Sequence, residues 1–135
     1  MIVYNKTKQD FSNDILTNDI GNIISDHILK RTGKKVAASE IRSFQNSLAH
    51  MDKVISDPDI PEDCGISIEY HLPQTSKRVD FIISGKNGSS ENVIIVELKQ
   101  WETAQLTDKD GLVRTRYYQG ESETNHPSYQ AWSYA

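Results

Sequence analysis

The clearest periodicity in the chain lies between Ser39 and Ser56. Ile41, Phe44, Leu48, Met51 and Ile55 recur at steps of three and four, which makes one apolar stripe along a helix. Ser39 stands where an N-cap belongs. Two shorter helices are predicted before it. One is capped by Asp10 or Ser12 and runs to about Ile20; the other covers Ile23 to Lys30, with Ile24, Ile28 and Leu29 inward. Thr32-Gly33 closes the second, with basic residues in its last turn. Residues 1–9 form an extended lead-in.

After the long helix the period changes to two. Ser56 to Asp63 is an acidic, proline-bearing connector. Ile66 to Leu72 then alternates apolar with polar, the pattern of a half-buried strand with Ser67, Glu69 and His71 on its wetter face. A turn at Pro73–Ser76 leads to a second strand, Lys77 to Ser84. Gly85 to Ser90 is turn-rich, and Val93-Ile94-Ile95-Val96 opens a third strand, predicted to be buried on both faces. Leu112 to Tyr118 suits a short strand or hairpin, and Gly120 to Asn125 a loop. Pro127 suits the first turn of a last helix.

The third strand ends in Glu97-Leu98-Lys99. Strand side chains alternate, so Glu97 and Lys99 emerge on one face. One reading of the pair is an ion pair at the sheet rim. The other is a metal site with a charge-stabilising lysine. Asp80 lies early in the second strand and Glu97 late in the third, and an antiparallel hairpin brings such positions together. Two acids and a lysine at one sheet edge suit Mg²⁺, which takes one or two carboxylates, a backbone carbonyl and waters. Glu40 reads as a first-turn glutamate favoured by the helix dipole, and Glu69 as a solvated strand residue.

Asp80 followed by Glu97-Leu98-Lys99 resembles the PD-(D/E)xK nuclease superfamily, with Val79 in place of the proline. Gln130-Ala131-Trp132-Ser133-Tyr134 has the Gln-x-x-x-Tyr spacing of its RecB-like members. The segments SEIRSFQNSL, IEYHLPQTSKRVDFII, VELKQWE and HPSYQAWSYA resemble the N-terminal region of bacterial helicase proteins of the Schlafen and superfamily-1 type. The resemblance implies an α/β fold with a restriction-endonuclease-like core. Helices would pack on a mixed sheet in α-β-β-β-α order, truncated before the last core strand. Residues 1–37 would be an N-terminal helical part and 38–135 the core of one domain, a fragment of a longer protein.

The resemblance also implies roles. Asp80, Glu97 and the Leu98 carbonyl would hold Mg²⁺ or Mn²⁺, with Glu40 or Glu69 as an accessory metal acid, and Lys99 would stabilise charge or orient water. Gln130 would position Lys99, water or phosphate; Tyr134 and His126 would support. Nucleic acid, with DNA favoured, would be the substrate, and a helicase module would follow in cis beyond residue 135. A catalytically inactive nuclease fold that binds nucleic acid or a partner protein is the alternative.

Composition narrows this further. No apolar run approaches the length of a membrane span, and the N-terminus lacks the apolar core of a signal peptide. The single cysteine, Cys64, forms no internal disulfide and no cysteine-rich zinc site. A cytoplasmic, soluble domain is the expectation, with its oligomeric state open. A formal charge of −4 excludes coating of nucleic acid by bulk electrostatics. Phosphate contacts would fall to local cations: Lys77 and Arg78, and Arg114 and Arg116 beside Tyr117 and Tyr118. Each is equally a solvated face.

Overall fold

Thr7 ends a strand and caps a helix at once. In the computed structural model, which describes residues 1–71, 78–99, 101–117 and 119–132, the lead-in is a strand, β1 (Ile2–Thr7). It runs directly into α1 (Lys8–Leu16), whose first turn is closed by the Thr7 hydroxyl accepting from the Asp10 backbone N–H at 3.2 Å. The expected caps, Asp10 and Ser12, therefore lie inside the helix. α2 (Ile20–Thr32) buries Ile20, Gly21, Ile24 and Ile28. A Cβ at Gly21 would meet Ile41 Cγ2 at 2.8 Å and Gln45 Cγ at 2.9 Å, so glycine lets α2 and α3 approach closely here. Gly33 ends α2 in the left-handed region at φ 70, as its sequence position predicts.

α3 (Ala38–Ile55) buries Phe44, Leu48, Met51 and Ile55 of the predicted stripe and leaves Ile41 half-buried. Its cap is Ala37 rather than Ser39. β2 (Gly65–His71) follows, then β3 (Arg78–Asn87) and β4 (Ser90–Glu97). In β2, Ile66, Ile68 and Tyr70 are buried and Ser67 and Glu69 are not, as alternation requires. Phe81 of β3 is fully buried, edge-on to Phe11 with ring centroids 5.4 Å apart; Phe11 meets Tyr4 at 5.9 Å.

The sheet order is β1-β2-β3-β4. The mixed sheet expected from the sequence is not what forms. β1 pairs antiparallel with β2, β2 antiparallel with β3, and β3 returns through a two-residue turn at Gly88-Ser89 into β4. Gly88 takes φ 62 there. A parallel pair would need a long crossover connection, which no two neighbouring strands from β2 to β4 have. β4 is thus an edge strand, and its apolar run is not buried on both faces. Val93 is 64% exposed and Ile94 57%.

The chain divides into two compact units, Met1–Ile95 and Val96–Ala135. In the second, β5 (Ala104–Leu106), β6 (Leu112–Tyr117) and β7 (Gly120–Asn125) form a three-stranded antiparallel sheet, followed by α4 (Pro127–Trp132). Val113 and Thr115 are its buried positions; the Thr115 hydroxyl donates to the Thr103 carbonyl at 2.7 Å. β7, expected as loop, is a polar strand.

One buried charge holds the first unit's long connector. Lys8 is 2% exposed, and its ammonium donates to the carbonyls of Asp57 at 3.2 Å and Ile60 at 2.7 Å and pairs with Glu62 at 3.0 Å. Its own backbone N–H donates to the Cys64 carbonyl at 2.9 Å. Lys8→Met keeps the apolar stem but strips donors from two carbonyls, each loss costing about 1–3 kcal/mol. The expected result is a urea midpoint lowered accordingly, with the largest gain in amide exchange between Asp57 and Cys64. An unchanged exchange pattern there would show that the loop holds itself.

Candidate active site

Alternation places Glu97 and Lys99 on one side of the chain at the end of β4, and the structure bears this out. The Lys99 ammonium lies 2.5 Å from Glu97 Oε1, with the glutamate side chain 3% exposed and the lysine side chain 21% exposed. Leu98 between them is half-buried. A buried carboxylate held by an ammonium is stable only when the partner stays in place. A carboxylate also offers about four acceptor sites, so pairing through Oε1 does not exhaust it.

Asp80 is in β3, directly across the β2–β3 ladder from Glu69. Its side chain lies outside the described residues, as do those of Arg78 in β3 and Gln130 in α4; Lys77 and Tyr134 lie outside them entirely. The Glu69 carboxylate pairs with the Met1 ammonium at 2.6 Å. The Glu40 carboxylate accepts from the Tyr70 hydroxyl at 3.3 Å. Tyr70 points into the helix-covered core, edge-on to Phe44 at 6.2 Å, while its neighbour Glu69 faces the other way. The two accessory candidates therefore serve opposite faces of the sheet, and one metal site has room for only one of them.

Arg114, one of the cations expected at nucleic acid, is engaged with an acid. Glu123 accepts from Lys109 at 2.7 Å and from Arg114 at 3.4 Å, and Arg116 stands opposite Glu121 in the β6–β7 register. The Lys109 hydrogen bond holds the Glu123 carboxyl below its ordinary value. These arginines form a charge ladder across β6 and β7 rather than a bare cationic strip. His126 is exposed and caps α4, its ring Nδ1 accepting from the Ser128 backbone N–H at 3.1 Å. Among the described residues no group of three or more His, Cys, Asp or Glu side chains is placed to hold a metal ion. No helix among them is long and apolar enough to cross a membrane.

Sequence reasoning missed two features of the first unit. Lys8 gave no signal, because nothing local marks a lysine as buried. The other is an open cleft of about 740 Å³ along the β3–β4 hairpin, reached by Val93 and Ile94. The apolar run that supplies Val93 and Ile94 is visible in the sequence, where it predicts a strand buried on both faces. No protein-family model, curated protein or solved structure matches the chain.

Proposed function

We propose that the chain is a metal-dependent nuclease domain that hydrolyses phosphodiester bonds in nucleic acid, DNA being favoured. The observation that supports it most is the buried Glu97 carboxylate paired with Lys99 at the end of β4. Register supports an accessory acid too, since Glu69 lies directly opposite Asp80 in the β2–β3 ladder. The element order α3-β2-β3-β4, with α4 later in the chain, is the order a restriction-endonuclease-like core would have, while β1, β2 and β3 pair antiparallel. A helicase module in cis belongs to the same proposal.

The donor set fits Mg²⁺ or Mn²⁺. Carboxylate and carbonyl oxygens are the hard ligands these ions take, and Glu97 and the Leu98 carbonyl are of that kind. Asp80 and Glu97 would hold the ion, with Glu69 as the accessory acid in preference to Glu40. A bound ion lowers the pKa of water and polarises the phosphoryl group. Lys99 would place its ammonium against the charge that develops on the phosphoryl oxygens. Gln130, from α4, would orient Lys99 or the attacking water, and Tyr134 would brace Gln130. The short Lys99–Glu97 pair favours a second reading, in which the ion pair is structural and the fold only binds nucleic acid or a protein.

Cleavage of single-stranded and duplex DNA with Mn²⁺, wild type beside Asp80→Asn, separates the two. Metal-dependent cleavage lost in Asp80→Asn, with saturable Mn²⁺ binding lost alongside, is the expected result. Equal cleavage by both proteins, or no Mn²⁺ binding and no cleavage by wild type, overturns the proposal.

A further inference from the structure

The β2–β3 ladder ends at Gly65 opposite Ser84, yet β3 continues to Asn87. Gly85, Lys86 and Asn87 therefore overhang the sheet with no β2 residue across from them, and the connector before Gly65 curves beside the overhang. The cleft of about 740 Å³ lies between the two, wholly within the first unit. Ile60, Pro61, Ile83, Val93 and Ile94 give it apolar walls. Val93 and Ile94 are far more exposed than an edge strand ordinarily leaves large aliphatic side chains.

The rim is acidic. Asp59, Asp63 and Glu91 border the cleft, and the one cation there, Lys86, is bound to Glu91 at 3.0 Å. That excess of carboxylate repels a polyanion, so nucleic acid is not the occupant. It attracts a cation that also carries apolar side chains.

We propose that this cleft docks an extended segment of a partner protein in which an aliphatic side chain is flanked by lysine or arginine. The aliphatic side chain lies against Ile94, beside Ile60, Pro61 and Ile83. The flanking cations meet Asp59, Asp63 and Glu91. The overhanging main chain of Gly85–Asn87 offers ladder hydrogen bonds to an extended backbone, the means by which sheet edges recruit peptides. A small apolar ligand would use neither the rim nor the overhang. The proposal does not depend on the nuclease reading, since the cleft contains none of the residues assigned to that site.

The test is fluorescence anisotropy on the intact chain with three short labelled peptides: alternating lysine and valine, alternating glutamate and valine, and alternating lysine and serine. The lysine–valine peptide is expected to bind and the other two to bind at least about tenfold more weakly. Ile94→Asp is expected to weaken it by about tenfold or more, because the aliphatic contact is lost. Asp59→Asn with Asp63→Asn is expected to weaken it and to flatten its salt dependence. Both substitutions fall on exposed side chains, and circular dichroism checks that each variant is folded. Amide shifts should cluster at 59–64 and 83–94. No binding, equal binding of the three peptides, or shifts elsewhere overturns the proposal.

Discussion

Lys99→Ala is expected to lose both cleavage and stability, whereas Glu97→Ala loses cleavage with a smaller cost to the fold. The asymmetry comes from burial. The Glu97 side chain is 3% exposed, so removing the ammonium takes away a charged partner that water cannot replace. Breaking such a pair from one side costs about 3–5 kcal/mol. Lys99 is less buried, and its long stem lets the ammonium reach solvent once Glu97 is gone. In cleavage, loss of one charge-stabilising group is worth about 10²–10³-fold. Trp101 and Trp132, the only tryptophans, both lie in the second unit, so their fluorescence in urea follows the unit that contains the pair. If Lys99→Ala and Glu97→Ala melt at the same urea concentration, Glu97 is not held as described.

Phe81→Ala is the largest expected loss in the first unit. The ring is fully buried and edge-on to Phe11, which in turn meets Tyr4, so it links β3 to α1 and β1. Truncating a buried phenylalanine costs about 3–5 kcal/mol in lost transfer energy and residual cavity. With a urea m-value of about 1–3 kcal/mol/M, the midpoint moves by at least about 1 M. The described helices longer than one or two turns all lie in the first unit, so helical circular dichroism is the readout. A shift of a few tenths of a molar would mean that the neighbouring side chains collapse into the space.

Helix α3 was legible because its stripe is long enough to fix a period, and Phe44, Leu48, Met51 and Ile55 are its buried residues. β2 was legible for the same reason at period two. β4 was legible as a strand but not as an edge. Four aliphatic residues in a row carry no alternation, and their burial depends on whether a neighbour exists beyond them. β7 was missed because Gly120–Asn125 has no apolar residue to set a phase; its pairing with β6 comes from chain reversal instead. β1 was read as a lead-in because nothing near Ile2–Thr7 reveals its partner. At the candidate site, the two-residue spacing of Glu97 and Lys99 was enough to place them together. The separation of Glu40 from Glu69 needed the sheet, since it depends on which face Tyr70 occupies.

The pairing of β1 with β2 joins Ile2 to Glu69 and Thr7 to Gly65. β1 is synthesised before β2, its partner, which emerges only after the segment that forms α1, α2 and α3. Helices close by local contacts and need no distant strand, whereas this ladder must close a long loop. Val3 and Tyr4, buried in the finished core, therefore stay unsheltered until β2 has been made. Until then the nascent β1 segment is open to capture by chaperones, proteases or other nascent chains.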